Sequence, residues 1–464
     1  MDYDVLILGG GLEGCAIAYE LSKYNLNIAL IEKNYDIAHD ISHINTSVIY
    51  SGIENDNTLI AKLESMGNSM LDEVTEKFEV PFKRCGTLYV ATNEQEEKVI
   101  EKIFNRSREL GLEGIVILEA EQAKKIEPNL SISITKALYS NNSGIICPFD
   151  LAMAYAEVAF DNNVNFKLEE EVLDIKKGNK GYNVITSKNR FTCKIVVNTI
   201  NNKEYSIEDN EGAIDEKKGT LKYFLFNDSY DNKFSNIVFK RSEENNSVYV
   251  VPSISGNMVG AVSAKNEINN IELLEKFSGL IEDVNFKNIR SFYESPFYSN
   301  QIVIDESKID AGYIKVVGRH YALVTMAPAI AKIVCETIVS NLNCKLKRDF
   351  NDKRREYYKL KELTDEEKMN IIKMDKRYGN IICSCNMISE GEIIDAIRRP
   401  LGARTVEGVK RRTGACIGTC FGSQCMSKII NILARETNKK MTDIVKDSKN
   451  SKMLLNRIKE FDTM

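Results

Sequence analysis

The first thirty-three residues constrain this chain more than any other part. A strand from Tyr3 to Leu8 runs into Gly9, Gly10, Gly11, Leu12, Glu13 and Gly14; a helix-forming stretch follows, and a second strand ends at Glu32 and Lys33. Gly9, Gly11 and Gly14 form G-x-G-x-x-G, with Gly10 as an extra glycine. Glycine is needed because the turn is tight, the backbone must approach a pyrophosphate, and the helix must lie close to the strand. The helix start then presents unpaired N–H groups and a positive dipole end to phosphates. Glu32, 18 residues beyond Gly14, is placed to accept hydrogen bonds from ribose hydroxyls. The alternative is a glycine-rich strand–helix corner whose site is unused.

The fingerprint alone does not separate FAD from NAD. The next segment, HDISHINTSVIYSG, is polar and small where a second regular βα repeat would be expected for NAD. A late strand, IKVVG, leads into another helix, whose positive end suits the anionic reduced flavin ring. FAD is therefore the expected cofactor.

At 464 residues, 43% hydrophobic, the chain is long enough for two or three domains. Its middle alternates short β-branched strands with charged helices, a pattern of α/β type with a mixed sheet. A net charge of -5 with no long basic run argues against nucleic acid as a partner. No basic leader and no uninterrupted apolar run of bilayer length stand out, so the expectation is a cytoplasmic protein without a transmembrane segment. Any membrane contact would be peripheral and through a partner. Residues 345–376 are densely charged and read as a solvated helical connector. Pro328, inside the apolar run before it, predicts a kink or a late helix start.

Five of the eleven cysteines crowd between Cys383 and Cys425. In a reducing compartment such clustering favours metal over disulfides. Cys383-x-Cys385 and Cys420-x4-Cys425 supply two close pairs, which suit either a [2Fe-2S] cluster or tetrahedral zinc. Spacing does not choose between them. Gly418 and Gly422 flank Cys420 and let backbone N–H groups turn toward sulfur.

These segments, together with FKRCGTLYVATNEQEE, ALYSNNSGIICPFDLAMAYAEVA, VYVVPSISGN and TMAPAIA, resemble FAD-dependent oxidoreductases of the D-amino acid oxidase superfamily, in the branch of the large subunit of anaerobic glycerol-3-phosphate dehydrogenase. The resemblance runs almost end to end. Its closing part, ICSCNMISEGEIIDAIRRPLGARTVEGVKRRTGACIGTCFGSQC, is similar to bacterioferritin-associated-ferredoxin-like domains and favours [2Fe-2S] over zinc, with Cys383, Cys385, Cys420 and Cys425 as ligands. Cys416 matches no ligand of that pattern.

The resemblance implies a Rossmann-like FAD-binding domain interleaved with an α+β substrate domain carrying a mixed or antiparallel sheet, followed by a small helical four-cysteine domain. The expected division is about 1–80, 145–205 and 300–344 for FAD and about 81–144 and 206–299 for substrate, then the connector, the cysteine domain at 377–437 and a polar tail. The FAD contacts it implies are Gly9, Gly10, Gly11, Leu12, Glu13, Gly14, Glu32, Lys33, Asn45, Thr46, Val172, Gly318 and Thr325. Such proteins pass a hydride from a small hydroxy compound to flavin, and electrons would leave through the cluster to an acceptor subunit or quinone.

Several positions depart from the family pattern. Tyr50-Ser51-Gly52 stands where relatives carry histidine before a small residue and glycine. Phe292-Tyr293-Glu294-Ser295-Pro296 contains no arginine where an anion binder is usual, Ala322-Leu323 replaces Pro-Gly, and Asn198-Thr199-Ile200 replaces Ala-Ala-Gly. Candidates for the proton-accepting group are His320, Tyr50 and His43, each of which could instead be an ordinary hydrogen-bonded loop residue. Arg319 is a candidate anion holder. Competing readings are an amine or imino-acid dehydrogenase subunit, an electron-transfer subunit without a substrate site, and a structural zinc protein.

Overall fold

The computed structural model describes residues 1–39, 47–130, 133–201, 203, 205–207, 217–231, 233–241, 247–254, 256–264, 269–278, 280–281, 284–298 and 301–455. β1 (Tyr3–Leu8) is fully inside from Val5 onward, and α1 (Leu12–Ser22) is buried on nearly every side, so both read as apolar runs rather than amphipathic ones. β1 pairs in parallel with β2 (Ile28–Ile31) on one side and with the strand Arg190–Asn198 on the other. Beyond Arg190–Asn198 comes the parallel strand Tyr313–Arg319, and beyond that the antiparallel edge Gln301–Asp305. A hairpin, Val172–Gly178 and Gly181–Thr186, also leans on Arg190–Asn198. Three segments far apart in sequence thus build one sheet, as the expected interleaving requires.

The helices α1, Pro148–Asp161 and Leu323–Leu342, with α2 (Thr58–Lys77), cover this sheet through one core that includes Ile17, Leu21, Leu151, Tyr155 and Ile330. Each fully buried Leu or Ile contributes roughly 1.5–3 kcal/mol. Leu323–Leu342 is long and apolar enough to cross a bilayer, yet much of it lies inside the protein. Pro328 sits five residues into it.

A second eight-stranded sheet, running from Ile289–Tyr298 at one edge to Ile115–Glu119 at the other, holds the intervening segments. All its pairings are antiparallel except that of Thr87–Ala91 with Ile237–Arg241. Phe224, Phe226, Leu273 and Phe277 fill its covered face.

The charged segment after residue 344 corrects the expectation of a solvated helical connector. Residues 351–359 carry no regular structure, a single 3-10 turn follows at Leu360–Glu362, and α-helix appears only at Asp365–Met374. The extended part is a strap held by buried charge. The Arg354 guanidinium donates to Glu157 and to Asp150 at 2.8 Å each, and Asp352 accepts from Tyr19 at 2.7 Å. The acids of the Pro148–Asp161 helix offset the cost of burying the Arg354 charge. The last domain packs the hairpin Ile381–Cys383 and Ile388–Ser389 against helices Glu390–Arg398, Val406–Thr413 and Met426–Thr437 around Ile393, Val409, Ile429 and Leu433.

Candidate functional site

The glycine turn is built as its chemistry demands. Gly9 has φ +104°, a left-handed value that glycine adopts freely. A Cβ on Gly14 would lie 2.1 Å from the Gly9 carbonyl oxygen, so any side chain there would push α1 off β1. Gly11 precedes the helix with no side-chain cap, which leaves the first N–H groups of α1 for an anion. Glu32 closes the turn: one carboxylate oxygen accepts the Gly10 N–H at 2.8 Å and the other accepts from Asn34. The Glu170 N–H donates to the Glu32 carbonyl at 2.9 Å, which brings the start of the strand at Val172 alongside. Leu12 and Glu13 lie buried at the helix start, and Lys33 is exposed. A dinucleotide fits this cradle, with its pyrophosphate at Gly11–Gly14 and a ribose at Glu32. Thr199, read from sequence only as a departure, hydrogen-bonds the Leu8 carbonyl and packs against Gly9.

A second group gathers about Tyr50. Its N–H donates to the Thr325 hydroxyl at 3.1 Å, its carbonyl accepts from Asn68, and its ring meets that of Tyr321 edge-on at 4.8 Å. His320, two residues past Gly318, stacks beside Tyr321; Nδ1 accepts the Ala322 N–H at 3.1 Å and Nε2 lies 2.8 Å from the Asn55 amide. Burial lowers its pKa to about 4, so the ring is neutral. Tyr50 and Thr325 are in direct contact, and His320 joins them through Tyr321. His43, Asn45 and Thr46 lie outside the described residues.

The structure adds two carboxyls to this group that sequence reading missed. Glu64 is fully buried and neither of its oxygens is hydrogen-bonded, while one oxygen of Glu54 accepts from the Tyr89 hydroxyl. Burial first, then the neighbouring Glu54, pushes Glu64 up to about 9. The available signal was Glu64 itself, a charge on the stripe Ile60, Ala61, Leu63, Gly67 and Leu71 that α2 buries. Tyr223, Tyr249 and Phe239 line the same region, so it is largely aromatic.

At the other end, the four predicted cysteine ligands fall into two contacting pairs. The thiol of Cys420 lies against Cys385, and that of Cys425 against Cys383 and Cys416. The backbone N–H of Gln424, then the Cys385 thiol and the backbone N–H of Gly422, lower the Cys420 pKa to about 7. Cys425 starts the helix Met426–Thr437. Among the described residues no three His, Cys, Asp or Glu side chains converge on one ion-sized point. Thiols grouped on two sides fit two irons better than a single tetrahedral zinc. Cys383, Cys385, Cys420 and Cys425 would hold such a cluster.

The cysteine domain is docked by buried ion pairs. Arg412 grips Asp36 with both terminal nitrogens, at 2.6 and 2.7 Å, and Arg399 reaches Glu157 at 3.1 Å. The guanidinium of Arg290 donates to the Ile417 carbonyl at 3.3 Å. Asp36 follows Glu32 by four residues, and Cys416 follows Arg412 by four.

Comparison with known proteins agrees with both halves. The FAD dependent oxidoreductase family matches residues 4–337, and the BFD-like [2Fe-2S] binding domain matches 381–435. The chain is 37% identical to a glycerol 3-phosphate dehydrogenase of Caloramator mitchellensis, over 97% of this chain and 98% of that one. It is 28% identical to a glycerol 3-phosphate oxidase of Mycoplasma genitalium, over 75% of this chain and 96% of the relative. Among solved structures, L-alpha-glycerophosphate oxidase of Mycoplasma pneumoniae with FAD bound superimposes with a TM-score of 0.66 at 26% identity, covering 77% of this chain and 99% of that one. The chain is an FAD-dependent oxidoreductase: it belongs to the FAD dependent oxidoreductase family and carries a BFD-like [2Fe-2S] binding domain at its C-terminal end.

Proposed function

We propose that the chain is a dehydrogenase of a small hydroxy compound, of the glycerol-3-phosphate or 2-hydroxy-acid kind, which delivers hydride to FAD and releases electrons through the [2Fe-2S] cluster to an acceptor subunit or quinone. The observation that carries this reading is the buried Asp36–Arg412 pair, which fastens the four-thiol module to the FAD domain. A flavin takes two electrons together and a cluster passes them singly. Direct reaction with oxygen would need no such module. The near full-length likeness to a glycerol 3-phosphate dehydrogenase supports the substrate class. The surroundings of Tyr50 and His320 would orient the substrate hydroxyl; a neutral His320 serves as a hydrogen-bonding partner rather than as a cation for phosphate.

A second reading, an amine or imino-acid dehydrogenase, is favoured by Glu54 and Glu64. Two carboxyls beside Tyr50, either of which could pass its proton to a neutral amine and pair with the ammonium so formed, and no arginine at Phe292–Pro296, suit an amine better than a phosphate. The test is anaerobic purification of the full chain, followed by glycerol 3-phosphate, 2-hydroxyglutarate and small amino acids added in turn while the flavin absorbance is followed. Bleaching by a hydroxy compound is expected. Bleaching by an amine alone would replace the first reading with the second, and a dithionite-reducible flavin that answers to none would leave an electron-transfer subunit.

A further inference from the structure

The thiol module holds five cysteines where the cluster needs four. Cys416 is buried, 9% exposed, and its sulfur lies 3.4 Å from that of Cys425. Its backbone has φ 64°, the left-handed region that a residue with a Cβ rarely adopts. Gly422 makes room for it: a Cβ there would stand 3.2 Å from the Cys416 sulfur. Cys425 also faces Cys383, whereas Cys385 and Cys420 form the other side. On the side where an iron requires Cys383 and Cys425, the Cys425 sulfur thus has a second sulfur, that of Cys416, in contact with it.

We propose that Cys416 and Cys425 share one coordination position of the cluster, so that either thiolate, with Cys383, completes the ligand set of that iron. Exchange between them is a simple ligand substitution. The iron–sulfur bond to one cysteine breaks as the bond to the other forms, the incoming thiol gives up its proton, and the departing thiolate takes one. No electron moves. The consequence is retention: an iron that loses one ligand is held by a neighbour already within contact, and the cluster survives partial loss of its ligands.

This rests on the cluster being [2Fe-2S], so the experiment starts with iron, zinc and sulfide analysis of the anaerobically purified full chain. Zinc in place of iron would remove the cluster reading itself, separately from the sharing. With iron present, Cys425→Ser, Cys416→Ser and the double variant are compared by visible absorbance and by electron paramagnetic resonance after reduction, with the flavin band of each sample reporting the folded chain. Cys425→Ser is expected to keep at least half of the cluster with a shifted spectrum, and the double variant to keep none. A Cys425→Ser chain as empty as the double variant, with its flavin band intact, overturns the proposal. Should Cys425→Ser lose its flavin as well, the decision passes to chelator-driven bleaching of Cys416→Ser. Loss several-fold faster than wild type supports sharing, and an equal rate overturns it.

Discussion

A carboxyl with no hydrogen-bond partner inside a protein is a claim about protons. Burial and the adjacent Glu54 hold a proton on Glu64 from the ordinary carboxylate range up to about 9, whereas the unfolded chain loses it at the lower end. The folded state thus binds the extra proton throughout that window. Its contribution is fully present below the ordinary range and is lost as pH rises through about 9. Wild type is expected to lose unfolding stability in urea between about pH 6 and about pH 9, and Glu64→Gln to flatten that slope; parallel slopes would show that Glu64 does not hold the proton. Gly14 supplies a prediction of steric kind. With 2.1 Å between a would-be Cβ and the Gly9 carbonyl, Gly14→Ala should cost about 1–3 kcal/mol or more and empty the FAD site. Flavin retention after gel filtration, with the thermal midpoint, checks it. The glycine turn was legible in the sequence because its stereochemistry is local and each glycine has its own reason. Glu64 was visible as a charge on an apolar stripe, but its neighbours Glu54 and Asn55 come from outside the helix, Tyr89 reaches it only through Glu54, and a linear pattern does not bring them together.

Elements far apart in sequence meet in this protein through charge as well as through apolar faces. The helix Pro148–Asp161 presents Glu157, 5% exposed in its side chain, to Arg354 of the strap and to Arg399 of the cysteine domain. Burial raises the Glu157 pKa, but the two guanidiniums outweigh it and hold the group below the usual carboxylate range. Removing one partner from a buried set is costly because the others stay buried and unpaired. Glu157→Ala is expected to destabilise the chain by about 3–5 kcal/mol, and Arg355→Ala, at a pair whose arginine is 54% exposed, by under about 1 kcal/mol. Thermal unfolding of the two variants beside wild type separates them; equal shifts would mean that burial of Glu157 adds nothing. The same pairs explain why the strap was misread. Its density of Lys, Arg, Glu and Asp looks like a solvated helix when only local spacing is available, and nothing local says that Arg354 is matched by acids some two hundred residues earlier. The strands and helices around it were legible because their periodicity carries the information.

For the whole molecule, the question is whether the two cofactor sites work as one unit. Arg412 is buried at the end of a helix whose following turn carries Cys416, and four residues reach at most about 14 Å. Movement of this side chain therefore moves the cluster loop. Arg412→Met keeps the length and the apolar stem but removes both hydrogen bonds to the buried Asp36 and leaves it only the charge of the neighbouring Arg404, which should loosen the docking face by up to about 3–5 kcal/mol. The strap between the domains should then open more often. Limited proteolysis within 345–376 is expected to release the C-terminal module at least about tenfold faster than in wild type, since cleavage follows the population of the opened form. Glu32 and the glycine turn are untouched, so flavin content should not change, and the compound that bleaches the wild-type flavin should bleach it at the same rate. Reduction of the cluster, followed by its paramagnetic signal after rapid mixing, should lag by about an order of magnitude because one-electron transfer weakens steeply with separation. A variant that is cleaved faster yet reduces its cluster on the wild-type schedule would show that electrons reach the cluster without this docking, from a partner rather than from the flavin of the same chain.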